Sequence, residues 1–365
     1  MNPLRRQKQA LFFIFILVLL ILSACNKPAT DQVPPPPVNN LPTMAALPTR
    51  QVVAPPPPVP SESTPEPTQQ TIAHASQPVD PTGEVKEIAD YTCRDTAAKK
   101  EAPAGDVYND LTFERPFTKD MEYLPFLDIV KAGIYRADPI WIYVTIYLVK
   151  GPDFGKDSQP AYGVEIDNNI DGRGDFLIWA TMPQGKTWTT SGVQVWEDID
   201  RDVGATRPIK SDAPTSGNGY DSLLFDQGQG DDPDLAYVRI SPDHPTRIDF
   251  AFKNSLLGTD QGFLWNPWAD AGVKKPEWFD YNDHWTYEEA GSPVKGFEFY
   301  YPIKELWGID NTCRAASGFA STGNEPGICQ VYIPPPPPEE PGKTPKPGNP
   351  TLPPPVITQP PPGLF

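Results

Sequence analysis

Proline decides which part of this chain can build a core. Of its 49 prolines, 31 fall in two flanks, residues 26–82 and 333–365. Runs such as Pro34–Pro37, Pro55–Pro58 and Pro334–Pro338 fix φ and lack amide donors, so they extend as polyproline II and bury little apolar surface. Disordered Pro-rich flanks, a stalk (25–82) and a tail (333–365), therefore bracket a segment, 83–332, long enough for one sizeable core. At roughly 3 Å per residue the stalk reaches on the order of 100 Å or more. Both flanks read first as spacers, with PxxP-type docking as the alternative.

The N-terminus reads as an address. Arg5, Arg6 and Lys8 precede an unbroken apolar run, Ala10 to Leu22, whose 13 residues suit a signal peptide better than a membrane span. Leu22-Ser23-Ala24-Cys25 follows. This run resembles the lipobox of bacterial lipoproteins. The resemblance implies that residues 1–24 are a signal peptide, that Cys25 is lipidated, and that the chain is anchored at the extracytoplasmic face of a cell membrane.

Charge then narrows the partners. The chain carries −17. Arg5, Arg6 and Lys8 precede the stalk, residues 26–82 carry −2 and the tail is neutral, which leaves −18 on residues 83–332. Such a domain repels phosphates, so nucleic acid is excluded as a partner. Bound cations or simple solubility account for the excess.

Within 83–332 the hydrophobic period is two. Ile140, Ile142, Val144, Ile146 and Leu148 alternate with Trp141, Tyr143, Thr145 and Tyr147, giving one aliphatic and one aromatic face. Further strands are expected at 161–167, 175–182, 192–198, 221–226, 235–240, 246–253, 262–268 and 296–301, separated by Asp/Gly/Pro-rich turns. One short helix is expected at 302–307, between Pro302 and Gly308. The expected fold is all-β, an antiparallel β-sandwich of jelly-roll type. Outside the cytoplasm a disulfide is expected; Cys313–Cys329 closes the shortest loop, with Cys93 pairing to either as the alternative.

Three groups of residues could carry chemistry. In Asp167-Asn168-Asn169-Ile170-Asp171-Gly172-Arg173-Gly174-Asp175, oxygen side chains fall at positions 1, 3, 5 and 9, with glycine at 6. That spacing turns Asp167, Asn169, Asp171 and Asp175 toward one hard cation, and the Arg173 carbonyl fills position 7. It resembles the first half of the calcium loops of dockerins, although Ile178 stands where the bidentate glutamate would be. A second ladder, Asp198, Asp200 and Asp202, has valine in place of the glycine. Structural Ca2+ is the expected cofactor.

The third group is aromatic. Trp265, Trp268, Trp278 and Trp285, with Asp280 and Asp283, make a stretch in which ring faces and carboxylates could hold a sugar. Core packing competes for the same residues. Catalytic motifs are missing: there is no HExxH, GxSxG or P-loop, and pairs such as Glu288/Glu289 or Asp280/Asp283 are unspecific in so acidic a chain.

The strands "DPIWIYVTIYLV" and "YGVEIDNNIDGRGDFLIWA" resemble the core of DOMON-like and family-9 carbohydrate-binding-module-like sandwiches. The stretches "GYDSLLF", "DPDLAYVRIS", "FDYNDHWT" and "DNTCR" are similar to uncharacterised secreted Asp-rich domains of environmental bacteria. The first resemblance implies a sandwich, the second an extracellular domain without assigned activity. Three functions are carried forward: a lipid-anchored binding domain for an extracellular ligand such as a glycan, a secreted polysaccharide hydrolase, and a structural envelope protein assembled with other envelope proteins.

Overall fold

The computed structural model describes residues 72–102, 105–152, 159–203, 217–258, 262–279, 281–332 and 356–357. All belong to one unit, Thr68–Phe365. The lipobox with Cys25, most of the stalk and most of the tail lie outside the described residues.

The strands are, in chain order, β1 (Val85–Ala89), β2 (Glu114–Arg115), β3 (Ile129–Tyr135), β4 (Trp141–Leu148), β5 (Ala161–Asp167), β6 (Phe176–Thr181) and β7 (Val193–Glu197). There follow β8 (Ser222–Asp226), β9 (Gln229–Gly230), β10 (Ala236–Ile240), β11 (Arg247–Lys253), β12 (Phe263–Asp270), β13 (Ile309–Asn311) and β14 (Ala315–Ser317). Two one-turn helices, α1 (Tyr281–His284) and α2 (Tyr287–Ala290), break the pattern. Val331–Tyr332 pairs with Val356–Ile357 beside the main sheets.

Two antiparallel sheets face each other. One is five-stranded, in the order β1-β3-β4-β11-β10; the other is nine-stranded, β2-β13-β12-β5-β6-β7-β8-β9, with β14 on β12. The fold is thus an all-β antiparallel sandwich. Its core follows the alternation of β4: Ile142, Val144, Ile146 and Leu148 point inward, joined by Phe250 and Phe252 of β11. The opposing sheet contributes Val164, Ile166, Ile178, Val195 and Trp265. Burying each such side chain contributes about 1.5–3 kcal/mol, which drives the two sheets together.

Both outer faces are covered as well. On the nine-stranded sheet a second core forms from Phe113, Leu177, Trp179, Trp268, Phe279, Tyr281 and Leu306. On the five-stranded sheet, two of the three aromatic residues of β4, Trp141 and Tyr143, are buried with Tyr237, and Tyr147 is half-buried. Residues 74–80, assigned to the stalk from composition, lie here. Val79 N donates to Tyr143 Oη (3.2 Å), Ala75 N and Ser76 N donate to Asp234 Oδ2 (2.7 and 2.8 Å), and Arg239 Nη2 donates to Asp80 Oδ1 (2.6 Å). Burial opposes ionisation of Asp234, but the bonds from Tyr237, Ser76 and His74 outweigh it and hold this carboxyl below its usual range.

Two expected elements do not form. Residues 296–301 make consecutive turns, with Phe297 N donating to Val294 O and Tyr300 N to Phe297 O. No helix spans 302–307, because its amides have outside partners: Lys304 N donates to Ala290 O and Glu305 N to Glu289 O. The Leu306 carbonyl accepts from the buried Arg115 guanidinium.

Candidate functional site

β5 and β7 run in the same direction on either side of β6, so their C-terminal ends emerge at one edge of the sheet. β5 ends in Asp167 and β7 is followed directly by Asp198, and each aspartate collects the amides of the turn after it. Asp167 is buried and accepts from Asp171 N (3.2 Å) and Gly172 N (2.9 Å). Gly172 sits at φ +95°, a conformation that favours glycine. Asn169 Oδ1 accepts from Asp171 N (2.9 Å), Asp171 Oδ1 from Arg173 N (3.0 Å), and Asp175 Oδ2 from Asn168 N (2.6 Å) and Asn169 N (3.1 Å). The loop is a chain of Asx turns closed on its own backbone.

Asp198 repeats the device. It accepts from Arg201 N (2.7 Å), Asp202 N (3.3 Å) and Val203 N (2.9 Å). The two loops touch: Asp198 N donates to Asp175 O (3.0 Å), and the Arg173 guanidinium donates to the Arg201 carbonyl. Burial pushes Asp167 up to about 7, against the pull of Arg314, and pushes Asp198 up to about 6, against its backbone amides.

Their charge environments differ. Beside the first loop, Arg314 is buried, donating Nη1 to Gly172 O (3.0 Å) and Nη2 to Glu165 Oε1 (2.7 Å). Its backbone is pinned next to a disulfide, Cys313–Cys329, with Arg314 N donating to Gly327 O (2.8 Å) and Cys329 N to Arg314 O (2.7 Å). Glu165 also accepts from Trp268 Nε1 (2.8 Å). The second loop brings carboxylate oxygens of Asp198, Asp200 and Asp202 within 4.8 Å of one another. Asp202 Oδ2 accepts from Asn218 N (3.0 Å), while Oδ1 is buried without a hydrogen-bond partner. The first loop forms no such carboxylate triple. The weaker motif in sequence is therefore the more convergent in space.

The aromatic stretch divides. Trp265 lies between the sheets and Trp268 in the second core, both essentially unexposed, so these two are structural rather than ligand contacts. Asp283 is buried, and Asp280 lies outside the described residues. Trp278 alone among these tryptophans is well exposed, at 40%. Its ring centroid is 5.6 Å from His284 and 5.8 Å from the half-buried Trp285, and Lys275 Nζ lies 3.8 Å over its ring. Tyr220 N donates to Pro276 O (3.1 Å), which ties this cluster to the segment carrying Asn218 and so to Asp202. Burial lowers the pKa of His284.

Arg314, Glu165 and Tyr220 were not singled out in sequence. Gly174 depends on Tyr220, since a Cβ there would stand 1.8 Å from Tyr220 Oη. The available signal was an arginine directly after a cysteine and a glutamate inside an otherwise apolar strand.

Among the described residues no helix is long and apolar enough to cross a membrane. No family model matches the chain, and no curated protein or solved structure matches it.

Proposed function

We propose that this chain is a lipid-anchored cell-surface binding domain, stabilised by calcium, that holds an extracellular ligand such as a glycan. The observation that carries the reading is an exposed Trp278, packed on the half-buried Trp285, that is tied through Tyr220 and Asn218 to the acidic loop of Asp198, Asp200 and Asp202. Ring faces take the C–H surface of a sugar and nearby polar groups take its hydroxyls. A cation at Asp198–Asp202 would hold the edge in shape. The lipobox-like residues around Cys25 support the anchor.

The hydrolase reading loses one of its carboxylates. Glu289 caps α2, accepting from Thr286 N (2.9 Å) and Thr286 Oγ1 (3.0 Å). Asp283 is buried. Glu289 borders a shallow concavity with Glu288, Lys304 and Glu305, but its Oε2 is committed to the cap and Asp283 is buried, so binding is favoured over glycosidic hydrolysis.

The test is binding of the full chain to soluble polysaccharides with calcium present. Trp278→Ala is expected to weaken binding at least about tenfold while leaving the melting temperature nearly unchanged. Unaltered affinity in this variant would move the ligand elsewhere. The alternative place is a concavity of about 670 Å³ lined by the uncharged polar residues Gln184, Thr187, Ser191, Gln194 and Gln227.

A further inference from the structure

Four carboxylates distant in sequence meet at the seam between the two sheets. Asp90 follows β1 and Asp128 precedes β3, both of the five-stranded sheet; Glu114 lies in β2 and Asp310 in β13, of the nine-stranded sheet. Glu114 and Asp310 face each other directly in the ladder. Like charges in that position repel. Oxygens of Asp90, Glu114 and Asp310 lie within 4.8 Å of one another, as do those of Glu114 and Asp128 with Cys93 Sγ.

Glu114, Asp128 and Asp310 are fully buried, and each has one oxygen held by the frame. Asp128 Oδ2 accepts from Cys93 N (2.9 Å) and Tyr123 Oη (2.6 Å). Asp310 Oδ2 accepts from Ile129 N (2.6 Å), and Glu114 Oε1 from Cys93 Sγ (3.0 Å). The other oxygens, Glu114 Oε2, Asp128 Oδ1 and Asp310 Oδ1, are buried with no hydrogen-bond partner. Orienting one oxygen and presenting the other is what an outer shell does for metal ligands.

Nearby side-chain cations do not answer this charge. The Arg115 guanidinium is committed to Asp106 (2.9 Å) and to the carbonyls of Ala290, Leu306 and Gly291. Arg94 is at the surface with Asp95. Oxygens that all lie within 4.8 Å of one another are close enough to share one ion bound at about 2.4 Å.

We infer that Asp90, Glu114 and Asp310, with Asp128 next to Glu114, bind one hard divalent cation of the calcium class, which staples the two sheets together. Asp90 is the partly exposed member of the group. The donors at this site are carboxylate oxygens. Cys93 Sγ is engaged as a donor to Glu114 Oε1 (3.0 Å), and an all-oxygen donor set suits a hard cation rather than a soft one. The site is separate from the Asp167 and Asp198 loops.

The test is calcium stoichiometry of the full chain, by elemental analysis after equilibrium dialysis. A variant with both loops disabled, Asp171→Asn/Asp200→Asn/Asp202→Asn, is expected to keep one calcium per chain. Adding Asp310→Asn is expected to remove it. No calcium on the loop-disabled variant would overturn the inference, whether or not Asp310→Asn folds. Retention of that ion by a folded Asp310→Asn variant would overturn it equally.

Discussion

The Asp167 and Asp198 loops begin alike and are neutralised differently. Both put a buried aspartate at a strand end and wrap the following amides around it. In the first, a buried arginine beside a disulfide supplies the positive charge. In the second, three carboxylates converge and one oxygen of Asp202 stays without a partner. A loop answered by a buried arginine is expected to be stable without an ion; one whose arginines, Arg173 and Arg201, lie toward solvent is expected to respond to the ion's presence.

The largest effect expected from this contrast is at Arg314. Arg314→Met leaves Glu165 buried and uncompensated, which costs about 3–5 kcal/mol. Denaturant melts should show the same loss in calcium and in chelator, because the missing charge is the protein's own. A loss that calcium repairs would mean that the first loop also depends on the ion.

A smaller effect is expected in the pH dependence. Asp167 and Asp198 are raised in the folded state, to about 7 and about 6, above their unfolded values. The folded chain therefore binds these protons more tightly. The stability they contribute is present at acid pH and is lost as pH rises, from about 4 to about 7 for Asp167 and to about 6 for Asp198. In chelator, Asp167→Asn should flatten the fall up to about pH 7 and Asp198→Asn only its part below about 6, measured as melting temperature against pH. Calcium should flatten the lower part in the wild type, since bound metal displaces the proton of Asp198.

The smallest effect is expected at Trp278, set against its buried counterpart Trp268. Trp268→Ala empties a fully buried site and costs about 3–5 kcal/mol, whereas Trp278→Ala, at an exposed position, costs less than about 1 kcal/mol. Comparable losses would make Trp278 a packing residue and weaken its reading as a ligand contact.

Periodicity made the sandwich legible. The aliphatic register of β4 is the register of the core, and β5 runs from Ala161 to Asp167 as its alternation indicates. Residues 302–307 misled because proline and glycine at suitable spacing permit a helix but do not supply its hydrogen bonds; those amides went to residues 289 and 290. The aromatic stretch could not be divided in advance, since Trp268 and Trp278 differ only in what the rest of the chain lays over them. Asp90, Glu114, Asp128 and Asp310 carried no local motif. Their proximity is created by the pairing of β2 with β13 and by the packing of the two sheets. The trace they left was a carboxylate inside or beside each of several apolar strands, as in Leu127-Asp128-Ile129 and Ile309-Asp310-Asn311.

The most direct measurement is a thermal melt of the full chain in chelator and again in calcium at about a hundred times its dissociation constant. A cation-held sandwich predicts a rise of about 5–10 °C, reduced in the Asp202→Asn variant. Identical melting in chelator and calcium would contradict it, and the carboxylates would then have to be held by protons and by their own backbone.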